Sequence, residues 1–301
     1  MSVNLQKIKK WTNMVLGKSS YHVNQDEGKF YSKTGIKGYY NNLTEKITRF
    51  GKPGVLVPKT VVDTGEEIFF SIAIFQYGLA AYDLHLSNSS DEMKKIVTAC
   101  AKWAVENQDE QGRWDTFTYE NPNMPYSSMA QAEGISLLIR AKHLLKTDDY
   151  DAAIHRAFEY MIKPIEDGGT AKYDGDKIYF YECPADPLIL NGWIFSIWGI
   201  WDYVKEYDDS KAQEILERTL KTLEESLPEY DIGYWSKYED GKRVSSPFYH
   251  NLHIAQLNVM YEWTGKEIYK AYAGKWNKYK KSFFCPKLAF FKKAVQKVLE
   301  R

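Results

Sequence analysis

The sequence predicts a mainly α protein: an incomplete (α/α) toroid of about four helical hairpins, with a short β-rich N-terminal extension and β-hairpin linkers. Three observations predict it. First, a long apolar stretch recurs, beginning at Phe69 (FFSIAIFQYGLAAYDLHL), Ser127 (SSMAQAEGISLLIRAKHLL), Pro187 (PLILNGWIFSIWGIWDYV) and Tyr249 (YHNLHIAQLNVMYEW), so that successive starts lie 58, 60 and 62 residues apart. Each stretch has the length and i, i+3, i+4 spacing of a helix. Second, each is followed by a more charged helix with its own start signal. Third, the first three pairs are each followed by a turn-rich, aromatic segment. A repeat of this period describes antiparallel helix pairs set side by side, apolar helices inside and charged ones outside.

Taken in order, residues 1–60 differ from the rest. GKFYSKTGIKGYYNNLT and GKPGVLVPKTVV are rich in Gly, Lys and Tyr and read as short strands and loops packed over the helices. Residues 61–285 are the repeat region, the expected catalytic domain. Ser90-Asp91 opens the first outer helix, Asp148-Asp149 the second and Asp208-Asp209-Ser210 the third, since these side chains accept hydrogen bonds from a helix's free N–H groups. Gly265 stops the fourth inner helix before KEIYKAYAGKWNKY. The linker IEDGGTAKYDGDKIYFYE carries Asp174-Gly175 between two strand-like runs, a hairpin signal. Residues 286–301 form a basic amphipathic C-terminal helix, read as docked on the core or as lying on a membrane surface.

Composition narrows the function. The 301 residues carry 40 basic and 40 acidic side chains, and zero net charge argues against a nucleic-acid binder working through a broad basic field. The start, MSVNLQKIKKWTNMVLGKSS, has no run long enough for a signal peptide or membrane span, and the three scattered cysteines form neither a disulfide framework nor a zinc site. The expectation is a soluble, cytoplasmic protein with no membrane span; a homodimer stays open. No GxGxxG, P-loop, GxSxG or HExxH motif is present, so no cofactor and no metal are expected. His250 and His253 read as a hydrogen-bonded helix start, and Asp174–Asp176 as a solvated turn. The 23 tyrosines, against 14 phenylalanines, are the unusual feature, because a core has no need of so many hydroxyls.

The helix starts of such a ring converge on one end, and polar residues gather there: Tyr126, Glu182, Tyr249 and His250, with Tyr238 in the preceding loop. A carboxylate and phenols together can move protons. Position alone leaves these residues open between that role and service as caps and core hydroxyls.

At these positions the sequence resembles the glucuronyl C5-epimerase family, which converts glucuronate to iduronate within heparan- or heparosan-type chains. FQYGLAAY (Phe75–Tyr82) is similar to the family's AQYGLSHY. YSSMAQAEGISLLIRA (Tyr126–Ala141) is similar to YSAMAQGQAISTLVRA, and YHNLHIAQL (Tyr249–Leu257) to YHTTHINQL. YECPADPLILNGWIFSIWGIWDY (Tyr181–Tyr203) resembles the block that runs from YEEYP to LNGFMYSLIGLYD. The blocks keep the family's order over roughly residues 54–280. The resemblance implies a catalytic trio of Glu182, Tyr249 and Tyr238, with Glu182 and Tyr249 as base and acid on opposite faces of the sugar and Tyr238 as a supporting donor. The carboxylate is expected to fall to an arginine: Arg140, Arg243 or Arg113. Arg140, at mid-helix, could equally pair with an outer-helix acid. Tyr126, Gln131, Asn191 and His250, which lie in the matching blocks, are further substrate-contact candidates. Trp114, Tyr119, Tyr179 and Tyr181 stay open between contacting sugar rings and packing the linkers. Two departures stand out: Cys183 occupies the place of a family tyrosine, and the loop from Glu182 to Leu190 is two residues shorter. The implied partner is an acidic polysaccharide. A polysaccharide lyase and a silent glycan-binding relative are the alternatives.

Overall fold

The structure, a computed structural model, describes residues 25–49, 51–62 and 65–299. The first 24 residues of the expected extension, including the start read for a leader, lie outside the described residues, as do the last two. Among the described residues the chain is mainly helical, with ten α-helices and two short two-stranded sheets.

The extension supplies helix α1 (Glu45–Thr48) and the ribbon β1 (Thr60–Val61) with β2 (Glu67–Ile68). Four helix pairs follow: α2 (Ser71–Asn88) with α3 (Asp91–Glu106), α4 (Ser128–Leu145) with α5 (Asp151–Met161), α6 (Leu190–Glu206) with α7 (Ser210–Ser226), and α8 (Pro247–Thr264) with α9 (Glu267–Lys281). The first helices of the pairs pack side by side in chain order, α2 on α4, α4 on α6 and α6 on α8, and each packs on its own second helix. Hydrophobicity explains the layering. Trp193, Ile194, Phe195, Ile197 and Trp198 make α6 apolar on nearly every side and are buried, whereas α7 buries only the stripe containing Ala212, Ile215, Leu216, Thr219 and Leu223. Burying one large apolar side chain stabilises by about 1.5–3 kcal/mol, so the inner row dominates the core. Gly199 allows α4 and α6 to approach closely: a Cβ there would stand 2.4 Å from Ala132 Cα.

Most helix starts obey the sequence signals. Ser90, Ser127, Asp209 and Ser246 each accept a hydrogen bond from a backbone N–H three residues on, and Gly265 ends α8 at φ +70°. The Asp148-Asp149 cap is not formed. Tyr150 precedes α5 with no side-chain cap, because Asp148 and Asp151 turn instead to Lys142 at 3.3 and 2.8 Å. The middle linker is the expected hairpin, β3 (Ala171–Asp174) with β4 (Lys177–Phe180), turning at Gly175-Asp176. The other two linkers are irregular: residues 107–127 hold no strand, and residues 231–246 hold only isolated bridges. The last helix, α10 (Cys285–Leu299), docks through buried Ala289 and a 2.6 Å hydrogen bond from Lys293 Nζ to the Val244 carbonyl. It leaves Phe283, Phe284, Leu288, Phe290 and Phe291 exposed. Among the described residues no helix is long and apolar enough to cross a membrane.

Candidate active site

The inner helices all begin at one end of the row, and a cleft of about 820 Å³ opens there. It is lined by Ile72, Ala73 and Gln76 of α2, Met129 of α4, Asn191 and Phe195 of α6, and Phe248, Tyr249 and Leu252 of α8. All lie in the first two turns of their helices. The opposite wall comes from the extension, with Lys46, Lys52, Lys59 and the segment Val55–Val61. Converging helix N-termini present partial positive charge and free N–H groups, which favours an anionic occupant.

Glu182 enters the cleft just beyond β4. Its neighbour Tyr181 is clamped through the backbone, donating to Thr170 O at 3.0 Å and accepting from Ser128 N–H at 3.1 Å, so the glutamate is carried on a fixed strand end. Gly192 makes room for it: a Cβ at that position would lie 2.5 Å from Glu182 Oε2 and 2.8 Å from its Cβ. Oε2 is buried and has no hydrogen-bond partner. Burial, with the Asp186 charge adding to it, pushes the Glu182 carboxyl up to about 7, the range of a base that works near neutrality.

Tyr249 stands in the first turn of α8, whose N-terminus Ser246 caps at 3.3 Å from Tyr249 N. Tyr238 arrives on the linker at residues 231–246, held by Tyr238 N–H to Arg243 O at 2.8 Å and by Leu190 N–H to Tyr238 O at 3.1 Å. The two rings lie 4.7 Å apart, and the hydroxyls of Tyr238 and Tyr249 are hydrogen-bonded to each other. Burial and then the Glu182 charge push Tyr249 up to about 12; burial, with Tyr249 and Glu182 adding to it, takes Tyr238 well above the ordinary tyrosine range. The cluster thus combines a carboxyl poised near 7 with a phenol that keeps its proton.

The other sequence-derived candidates are distributed differently. Asn191 lines the cleft, and its Oδ1 is buried without a partner. Arg140 is outside the cleft lining, fully buried and bound to Asp202 at 2.5 Å and to the carbonyls of Lys37 and Gly38 at 2.9 and 3.1 Å. Arg113 is paired with Asp109 at 2.6 Å and lies over the Tyr126 ring at 4.2 Å. Arg243 is paired with Glu239 and lies 5.7 Å from the Tyr238 ring. Trp114 is buried, its indole N–H donating to Ala104 O, and Gln131 is buried with its amide on the carbonyls of Gly112 and Ala157. His250 is stacked on Trp235 at 3.6 Å and held by Ser236 Oγ and the Trp276 carbonyl, while burial pushes its imidazole down to about 4. Tyr126 packs edge-on against Tyr160, Tyr179 against Trp193, and Tyr119 against Phe70, itself a cleft residue. Cys183 is buried beside Asn121 and the Met124 carbonyl, outside the cleft lining.

Sequence reasoning missed Glu133, Gln76 and Lys46. Glu133 lies fully buried on α4, accepts from Gln76 Nε2 at 2.8 Å, and leaves Oε2 without a partner. Burial pushes it up to about 8; the Gln76 hydrogen bond and Lys46 oppose that rise and Glu182 adds to it. The signal was present, since a carboxylate at the centre of an otherwise apolar helix is rarely buried without a reason.

The fold and this cluster describe a helical-repeat protein with a buried carboxyl and two phenols grouped at a cleft where helix N-termini converge. Residues 108–278, more than half of the chain, match the family described as D-glucuronyl C5-epimerase C-terminus, and the chain belongs to that family. It is 26% identical over 207 residues to the D-glucuronyl C5-epimerase of Caenorhabditis elegans, covering 59% of this chain and 34% of that protein. It is also 32% identical over 155 residues to an uncharacterized protein of Methanocaldococcus jannaschii, covering 50% of each. The chain therefore spans a third to a half of the length of these relatives. Glu182, Tyr238 and Tyr249 fall inside the matched segment, whereas Lys46 and Gln76 precede it.

Proposed function

We propose that the protein is a uronate C5-epimerase that inverts D-glucuronate to L-iduronate within a heparosan-like acidic polysaccharide. The observation that carries this reading is the pairing, in one cleft, of a buried carboxyl near pKa 7 with a phenol held near 12. The C5 hydrogen of a uronate is α to its carboxylate. Glu182 in its ionised form takes that proton, and the electron pair of the C5–H bond spreads onto the carboxylate. Tyr249 gives its hydroxyl proton to C5 from the other face, and Tyr238, hydrogen-bonded to Tyr249, replaces it. The reverse direction exchanges the two roles. The four inner helix N-termini favour the charge that builds on the carboxylate. The row of hairpins is read as an incomplete (α/α) toroid, with the polymer lying across the open end.

Incubating the protein with unsulfated heparosan in deuterated water tests this reading. Deuterium at C5 with unchanged chain length is the expected result. Chain cleavage with an unsaturated, ultraviolet-absorbing uronate would instead identify a lyase, and binding without exchange a silent relative.

A further inference from the structure

The cleft contains one cation that stands apart from the rest. Lys46, on α1, is half-buried and lines the cleft, and among the described residues its side chain forms no hydrogen bond or ion pair. Lys59 lies over the Phe69 ring at 5.1 Å, and Lys52 lies in an exposed loop. The arginines nearest the site are already committed to Asp202, Asp109 and Glu239. An ammonium in a cleft partly withdrawn from water and without a protein counter-charge favours an anion that arrives from outside. Burial holds Lys46 below the ordinary lysine range, and an incoming carboxylate would reverse that shift.

The groups below Lys46 preserve this open charge. Glu133 faces Lys46 from α4, and around Glu133 stand Gln76 from α2, Glu182 from the strand end and Tyr39 from the extension. If Glu133 were ionised it would compensate Lys46 and repel a substrate carboxylate. Its burial keeps it protonated at neutral pH, and its bond to Gln76 fixes that amide at the cleft wall. The interactions run in sequence from Lys46 to Glu133, from Glu133 to Glu182, and from Glu182 to the two tyrosines.

Resting on the epimerase reading, we propose that Lys46 receives the carboxylate of the sugar whose C5 is exchanged, and that Glu133 is the positioning residue that holds Gln76 and leaves the Lys46 charge free for it. As the C5 proton leaves, negative charge grows on that carboxylate, so the contact to Lys46 strengthens in the transition state and its loss lowers kcat as well as raising KM.

The test compares heparosan with its carboxyl-reduced derivative, measuring binding by calorimetry and C5 exchange by deuterium uptake. The parent is expected to prefer heparosan. Lys46→Met should bind both polymers alike and lose exchange by about 100-fold or more, while Lys46→Arg keeps the preference. Heparosan binding by the parent should weaken between pH 7 and pH 9, and Glu133→Gln should lessen that weakening without abolishing it, since Glu182 and Lys46 still titrate. A folded Lys46→Met that still prefers heparosan as the parent does overturns the proposal. If Lys46→Met does not fold, Lys46→Arg decides: a retained preference supports the proposal and a lost one overturns it. Exchange by the parent with no dependence on Lys46 leaves the epimerase reading standing without this cradle. A preference that depends on Lys46, with no exchange, leaves the cradle standing without the epimerase. A parent that binds neither polymer overturns both.

Discussion

Helix α4 carries two buried ionisable side chains on the same face, Glu133 and Arg140, seven residues and about 10 Å apart, and their surroundings are opposite in kind. The Arg140 charge is fully answered. Its guanidinium meets Asp202 and three carbonyls, and Tyr40 donates to Asp202 at 2.8 Å. Around Glu133 the accounts stay open: Oε2 of Glu133, Oε2 of Glu182 and Oδ1 of Asn191 are all buried and unpaired. Unpaired buried polar groups cost roughly 1–3 kcal/mol each, so a fold retains them where a ligand completes them. The closed cluster ties the extension to α4 and α6; the open one faces the cleft.

The largest test of this contrast is Glu182→Gln. C5 exchange should fall by about 10²–10⁴-fold, with the denaturation midpoint unchanged or raised, because the substitution removes a buried unpaired carboxyl. A large loss of stability would place Glu182 with Arg140 among the structural groups. Asp202→Ala should do the reverse, costing about 3–5 kcal/mol in urea unfolding by leaving Arg140 buried without its counter-charge. A loss below about 1 kcal/mol would show that the closed cluster is dispensable. A smaller effect is expected of Gly192→Ala. The new methyl would push the Glu182 carboxylate out of place, lowering exchange roughly 10- to 100-fold while changing stability by less than about 2 kcal/mol. Equal loss of activity from Gly199→Ala, which crowds α4 against α6 away from the cleft, would mean that general disruption of packing accounts for both.

The same contrast explains what could be read from the sequence. The inner helices were legible because an apolar run of eighteen residues, such as that from Ser71 to Asn88, has few alternatives to a buried helix. Glu182, Tyr238 and Tyr249 were legible as residues at the mouths of those helices and through the family blocks, and the structure brings them together. Arginine was a reasonable expectation for the anion, but nothing local reveals that Asp202 is 62 residues away in sequence and 2.5 Å away in space from Arg140. Lys46 was invisible for the same reason. Its extension has no periodicity, and only packing against α2 brings it to the cleft wall.

The smallest and most specific prediction concerns pH. The Glu133 carboxyl sits near 8 in the folded chain and near the ordinary 4.5 when unfolded, so between those values the native state holds a proton that the unfolded state has released. Stability from this group is therefore complete below about 4.5 and is lost as pH rises through about 8. Glu182 and Asp83, both near 7, act in the same direction but are already half titrated at pH 7. From pH 7 to 8 Glu133 is the largest single contribution, roughly 1 kcal/mol, with Glu182 and Asp83 adding smaller losses and Lys205, lowered to about 8, opposing them. The urea midpoint of the parent should fall over that interval, and Glu133→Gln should reduce the fall by more than half, since Lys46, Gln76, Tyr39, Glu182 and Asp83 are common to both proteins. A variant that keeps the full decline would show that Glu133 is already ionised at neutral pH and compensates Lys46, in which case the open cluster is closed after all and its distinction from Arg140 disappears.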